Sequence, residues 1–433
     1  MSGLPAALRA YRLLAAAAAP LTPILLRQRL KRGKEHGPRL PERRGFSRLA
    51  RPEGPLVWLH GASVGELASV LPLIERIAAR GIGVLVTTGT VTSGGLAEQR
   101  LPRGVIHQFV PLDVPRFVRR FLDHWRPNLA LFVESDLWPN MIIEASRRGV
   151  PMIVVNGRLS ENSYQRWTYL RATIFDLLSR FDLCLAGTLA DAERLTALGA
   201  PRVITAGNLK LDVPAPPADR GKLAALQDAV AGRALIAAAS THAGEESAVI
   251  AAHRRLRANF PGLLTVIAPR HPERGPGVAE LAAAAGLKAV LRSRGALPDA
   301  ATEIYVADTM GELGLIYRLS PLVFIGGSLV KHGGQNPIEA AKLGAAILHG
   351  PHVWNFAEIY AALDEARGAE RVDDADRLTA GLGAWLRDAG ARERAAAAAR
   401  ATVENLGGAL ERTLASLEPY LMQLQLPGRN GHA

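Results

Sequence analysis

Short apolar runs of three to six residues alternate along the chain with longer stretches whose apolar positions recur every three or four residues. The first pattern predicts buried strands and the second predicts amphipathic helices. Strands are expected over 56–60, 84–88, 129–133, 152–155, 183–186 and 203–206. After a Pro-rich segment over 213–219 the alternation restarts at 234–239, 263–268, 289–291, 303–306, 322–325 and 345–348. Between the first two runs, Leu67, Val70, Leu71, Ile74 and Ile77 form one buried helical face. Alternating β and α units imply parallel sheets with helices on both faces. The break near 213–219 divides the chain into two doubly wound domains, 46–212 and 213–425, behind an arm over 1–45. The Ala-rich run 391–417 reads as surface helices and 427–433 as a loose tail. Two such domains facing each other leave a central cleft between strand ends, where open α/β folds place their ligands.

Charge changes this picture at one end only. Residues 1–53 carry twelve Arg or Lys and three Glu, a net of +9 out of the chain's +12. The body is therefore near neutral, which argues against a nucleic-acid groove and for an anionic surface met by the arm. Within the arm, residues 13–26 are uncharged and end beside Arg27, Arg29, Lys31, Arg32 and Lys34. Fourteen residues are too few for a helical span of about 20. The pattern suits an arm lying at an anionic cytoplasmic leaflet. A signal peptide and an ordinary first helix packed on the body are the competing readings, and the dense cations after the apolar run oppose export. The single cysteine, Cys184, excludes a disulfide framework and reads as a buried strand residue.

Polar motifs gather where strands end. Ser63 and Glu66 follow the first strand at the spacing of a capping box. Glu66 at that helix mouth can also take a proton from a substrate, and the two roles can coexist. Glu134 and Asp136 follow the strand at 129–133, Arg158 follows the one at 152–155, and Lys210 follows the one at 203–206. In the second half, Ser240 to Glu246 and Pro269-Arg270-His271-Pro272-Glu273-Arg274 follow strands, and the Arg270 fork suits a phosphate. Gly311 and Glu312 mark a further helix start. Gly326-Gly327 and Gly333-Gly334 frame a loop that leads to Asn336, Pro337 and Glu339, expected at N-cap, N1 and N3 of a helix. The four glycines suggest backbone N–H groups open to an anion. No HExxH, CxxC, P-loop or GxGxxG pattern occurs, so neither a metal site nor a cofactor is indicated.

Six segments in this order carry a resemblance: His60–Glu66, Glu134–Asn140, Asn156–Ser160, Gly207–Asp212, Pro269–Arg274 and Gly333–Glu339. Together they resemble the 3-deoxy-D-manno-octulosonic acid (Kdo) transferases of Gram-negative bacteria, over roughly residues 40–360. The resemblance implies a GT-B glycosyltransferase fold of two Rossmann-like domains with a membrane-associated N-terminal arm. It implies inverting, metal-independent transfer of Kdo from CMP-Kdo to the lipid A precursor at the cytoplasmic face of the inner membrane. Glu66 then matches the catalytic base and Glu134 a second carboxylate needed for activity. Arg270, His271, Gly311, Glu312, Asn336 and Glu339 fall in the segments that match CMP-Kdo binding. Ser63, Asp136, Arg158 and Lys210 are candidates for contacts to the acceptor or the Kdo carboxylate. The chain departs from the pattern at Asp136, one methylene shorter than the usual Glu, at Gly61, where Ala is common, and at Asn162, where a basic residue is common. Two rival functions are a GT-B sugar-nucleotide epimerase, which would not need the arm, and a non-catalytic membrane-bound sugar-nucleotide-binding protein.

Overall fold

A computed structural model describes residues 3–426. The first sheet comprises β1 (Leu56–His60), β2 (Gly83–Thr88), β3 (Ile106–Phe109), β4 (Leu129–Val133), β5 (Met152–Gly157), β6 (Leu183–Ala186) and β7 (Val203–Thr205). Its order is β3-β2-β1-β4-β5-β6-β7, parallel throughout. The second sheet comprises β8 (Leu235–Thr241), β9 (Leu264–Pro269), β10 (Ala289–Leu291), β11 (Ile304–Val306), β12 (Leu322–Ile325), β13 (Ala346–His349) and β14 (Ala369–Arg371). Its order is β10-β11-β9-β8-β12-β13-β14, also parallel. The central strands are apolar at nearly every position because helices cover both faces; β1 is buried at all five of its residues. Trp58 packs to one side with Phe121 and Phe132, and its neighbour Leu59 packs to the other with Val70 and Ile74.

In each sheet the strand order reverses beside its first strand, between β1 and β4 and between β8 and β12. These are the topological switch points, where open α/β sheets leave a crevice for a ligand. Two strands escape the hydrophobic pattern, β3 and β14. Both are short sheet edges with two polar residues each, so neither has the apolar run that marks a central strand.

The chain divides into two compact units, one running to Val213 and resuming at Gly407, the other Pro214–Leu406. An unbroken second domain to residue 425 is therefore corrected. The Ala-rich run forms two helices, Ala389–Asn405 in the second unit and Ala409–Gln425 in the first. Leu414, Leu417 and Leu421 of the latter are buried in the same core as Leu67, Val70 and Ile74, so this helix covers an apolar face of the first unit. Asp212 holds its start by accepting the N–H groups of Gly408 at 2.7 Å and Leu410 at 2.5 Å. The predicted tail over 427–433 lies outside the described residues.

The arm is rooted in the first unit. Leu8, Ala19 and Leu26 are buried, Tyr11 donates to Asp113 at 2.9 Å, and Arg12 reaches Glu144 at 2.5 Å. Arg43 is buried against Glu35 and donates to the carbonyls of Gly89 and Val110. On the outer side of the helices Ala6–Ala18 and Thr22–Lys31, Leu13 and Leu14 are about 70% exposed and Ile24 and Leu25 about half exposed. No helix among the described residues is long and apolar enough to cross a membrane. Cys184 is fully buried in β6, where burial pushes its thiol up to about 12.

Candidate functional site

At the first switch point β1 runs into a tight turn and the helix Val64–Ala78. The cap Ser63 accepts the Glu66 N–H at 3.2 Å and donates its hydroxyl to Glu66 Oε1 at 2.8 Å. Glu66 Oε2 accepts the Ala62 N–H at 2.7 Å, so the expected reach-back lands one residue before the cap. Burial raises the Glu66 pKa. The Ser63 and Ala62 hydrogen bonds oppose that rise, while the charges of Glu134 and Asp136 add to it.

Those two carboxylates follow β4. Glu134 adopts left-handed backbone at φ 59°, a conformation that costs a non-glycine residue about 1–2 kcal/mol. Its carboxylate lies 2.6 Å from Lys210 Nζ. Lys210 sits in the short turn Leu209–Leu211, which Asn156 fixes by accepting the Leu209 N–H and Asn208 by accepting the Lys210 N–H. Arg158 follows β5 at this end of the sheet, half-buried. Asp136 is anchored differently. Trp58 Nε1–H can only donate, so it gives its proton to Thr87 Oγ1 at 2.9 Å. Thr87 Oγ1 also lies 2.9 Å from His60 Nδ1, and His60 Nε2 lies 3.0 Å from Asp136, whose ionised carboxylate can only accept, so Nε2 carries a proton. Burial works to raise Asp136, but the His60 hydrogen bond and charge, with Trp138, outweigh it and hold the group below the usual carboxylate range. Neighbouring carboxylates pushed in opposite directions are the arrangement that separates a proton acceptor from a fixed charge.

At the second switch point the glycine expectation is corrected. The carboxylate of Glu245, 1% exposed, accepts four backbone N–H groups: His242 at 2.9 Å, Gly327 at 2.7 Å, and Ser328 and Leu329 at 2.9 Å each. The Gly326 N–H bonds Ala239 and the Gly334 N–H bonds Gly327, so with Gly327 three of the four glycine N–H groups are taken within the chain. The glycines are required by close packing instead. A Cβ on Gly326 would lie 2.6 Å from Ser240 O, and one on Gly333 2.5 Å from Trp354 Nε1.

Side chains make this end cationic and aromatic. His242 stacks on His332, with centroids 4.2 Å apart, and meets His271 edge-on at 6.1 Å. Burial, then the charges of His332, His271, Arg270 and Arg274, push His242 down to about 4. Arg270 is exposed and fixed at its own N–H by Thr241 O. Asn336 accepts the Ile338 N–H at 3.0 Å and donates to Glu339 at 3.3 Å. Pro337, not Asn336, takes the cap position of the five-residue helix Ile338–Lys342. Burial raises the Glu339 pKa against the pull of Asn336 and Lys342. Glu312 is tied up by Arg292, Thr309 and Lys222, and the Arg292 hydrogen bond leads in drawing it down to about 2. Gly311, at φ 78°, is open around its Cα. Glu246, fully buried, faces Arg274 at 3.2 Å.

Comparison with known proteins assigns the chain. Residues 38–213 match the family described as 3-Deoxy-D-manno-octulosonic-acid transferase (kdotransferase). A Haemophilus influenzae protein named 3-deoxy-D-manno-octulosonic acid transferase is 35% identical over 392 residues, 88% of this chain and 91% of that protein. The chain belongs to the Kdo transferase family. It is therefore a glycosyltransferase by descent. Two solved structures align over most of its length, a glycosyltransferase from Rickettsia africae (10% identity, TM-score 0.60, 87% of this chain and 100% of that one) and UDP-GlcNAc 2-epimerase from Neisseria meningitidis (12% identity, TM-score 0.59, 84% and 100%). At such identities the likeness speaks to fold alone, and the fold is GT-B.

Within this Kdo transferase, Ser63, Glu66, Glu134, Asp136, Arg158 and Lys210 share one sheet end of the first unit. Arg270, His271, Asn336 and Glu339 lie at the strand ends of the second. Glu312 stands apart from them in its ion-pair network. His60 and Glu245 fall inside the motif segments 60–66 and 240–246, yet the sequence alone assigns no role to them or to Thr87. Their signal is position alone, since each lies at a strand end or starts the helix after one.

Proposed function

We propose that this chain transfers Kdo from CMP-Kdo to a lipid A precursor, with inversion at the anomeric carbon and Glu66 as general base. The observation that carries the reading is the placement of Glu66 at the first switch point, half-buried at the start of the helix Val64–Ala78 and held there by Ser63 and Ala62, where burial raises its pKa. A half-buried carboxylate with raised basicity is suited to accept a proton near neutral pH. Glu66 takes the proton of the attacking acceptor hydroxyl while that oxygen bonds the anomeric carbon. The bond from that carbon to the phosphate oxygen breaks, and CMP leaves with the electron pair. The second unit binds the donor: Arg270 meets the phosphate, and Glu339 accepts from the ribose hydroxyls. The Glu134–Lys210 pair keeps a cation at the acceptor side for the Kdo carboxylate, with Arg158 as the other candidate.

The reaction is assigned to the cytoplasmic face of the inner membrane. In support, the arm exposes Leu13, Leu14, Leu21, Ile24 and Leu25 next to Arg27, Arg29, Lys31, Arg32 and Lys34, a combination suited to an anionic lipid surface. The test is incubation of the purified full chain and of Glu66→Ala with CMP-Kdo and tetra-acylated lipid A precursor, read by mass spectrometry of the lipid. Added Kdo with the parent chain alone supports both reaction and base. Equal product from both reduces Glu66 to a helix cap. No product from either, with active donor, overturns the reading.

A further inference from the structure

The Kdo transferase reading leaves Glu245 without a role, although its carboxylate accepts four backbone N–H groups. Its two carboxylate oxygens gather N–H groups from both sides of the switch point: His242 after β8, and Gly327, Ser328 and Leu329 after β12. A turn of successive backbone N–H groups is an anion-binding concavity. Here the chain supplies the anion. We propose that Glu245 is a positioning residue for the donor: it fills the backbone nest after β12 and thereby sets the donor-facing side chains, so that the nucleotide phosphate is held by side chains and not by that nest.

Three contacts give the inference its reach. With the 327–329 turn pinned to His242, the His242 ring lies flat against His332 and 3.2 Å from Gln335. Gln335 immediately precedes Asn336, whose amide fixes Glu339. The turn is locked on its far side too, where Ser328 Oγ donates to Ile325 O and accepts the Gly350 N–H. The Glu245 carboxylate is thus the only side-chain group that joins the β8 turn to the 327–329 N–H groups among the described residues.

The inference rests on the donor reading above, and its test separates the two. Glu245→Gln keeps the size but replaces one acceptor oxygen by a donor, which leaves two of the four N–H groups facing another N–H. CMP binding to the full chain is measured by calorimetry, alongside the KM of both substrates. Glu245→Gln is expected to weaken CMP binding and raise the KM for CMP-Kdo by about tenfold or more. The KM for the lipid acceptor and kcat at saturating donor stay within about threefold, a split that general loss of structure would not produce. Glu245→Asp, which keeps the charge, recovers part of the affinity. Should Glu245→Gln fold poorly, Glu245→Ala tests the same point, because sodium formate can refill the nest. Formate is expected to restore CMP binding where sodium chloride at equal ionic strength does not. CMP affinity unchanged in Glu245→Gln, equal rises in both KM values, or formate and chloride acting alike overturns the proposal and leaves the donor reading standing. Failure of the parent chain to bind CMP removes both.

Discussion

Glu66 and Glu245 occupy matching places in the two units. Each follows the first strand of its sheet, sits in the first turn of the next helix, and accepts a backbone N–H from three or four residues earlier. Their surroundings then diverge. Glu66 receives one N–H and one hydroxyl, and two further carboxylates lie near it. Glu245 receives four N–H groups and is sealed from solvent. On the function proposed above, the same fold position gives a proton acceptor in one unit and a structural carboxylate in the other. Topology chooses where a carboxylate sits, and the count of donors around it chooses what it can do.

The sharpest way to break this comparison is to neutralise each acid in turn. Glu66→Gln is expected to lower kcat about 10²- to 10⁴-fold, the usual contribution of a general base, with CMP binding unchanged. The matching change at Glu245 acts on donor affinity and spares kcat. A kcat collapse in both variants would mean that the two acids are not functionally distinct. Next in size is Arg270→Ala, which removes an exposed cation at the second switch point. The KM for CMP-Kdo should rise about 10- to 100-fold, the range of a lost charge-assisted hydrogen bond. Arg270→Lys should recover only part of this, because an ammonium lacks the two-pronged fork. An unchanged donor KM would move the phosphate site elsewhere.

A smaller effect sharpens the account of Glu66. As a base it must be ionised, so kcat falls as pH drops through its pKa, and burial with two nearby carboxylates places that acid limb above the ordinary carboxylate range. Asp136→Asn deletes one of those charges. Glu66 then ionises more readily, and the acid limb of the kcat–pH profile should move to lower pH. A shift to higher pH, or none, would show that Asp136 does not act on the base through its charge.

What the sequence disclosed follows the range of the forces involved. Central strands are apolar at successive positions, so β1, β4, β8 and β12 stand out, and the acids that follow β1 and β4 come with them. The edge strands β3 and β14 are short, and each carries two polar residues, His107 and Gln108 or Glu370 and Arg371, that interrupt such a run. The role of Glu245, within the motif 240–246, escaped because three of its partners lie 82 to 84 residues ahead in the chain, and only the pairing of β8 with β12 brings them to it. The helix Ala409–Gln425 is legible in part within 391–417, but its place in the first unit is not, since its leucines pack with residues such as Leu67 and Val70 more than 300 positions earlier. Glu312 read as a donor contact because it precedes a helix, while the cations that hold it, Lys222 and Arg292, lie on other elements.

The smallest predicted effects concern one glycine from each turn, and they test whether the two turns are equally tight. Gly326 follows β12, and a Cβ there would lie 2.6 Å from both Ser240 O and Thr241 Cα. Both are backbone atoms of the adjoining β8 end and cannot swing aside as a side-chain tip can. Gly326→Ala must therefore move main chain, at about 1–3 kcal/mol for overpacking. Gly61 follows β1, and a Cβ there would meet Glu66 Cβ at 3.4 Å and Val133 Cγ2 at 3.6 Å, ordinary contact distances. Gly61→Ala should change stability by no more than about 0.5 kcal/mol, as at an unstrained site. It should also leave Glu66 in place, in keeping with the Ala common here in the family the sequence resembles. Thermal unfolding of the two variants beside the parent chain decides the matter. A destabilisation by Gly61→Ala as large as that of Gly326→Ala would show that the turn before the base is as tightly closed as the turn that Glu245 seals.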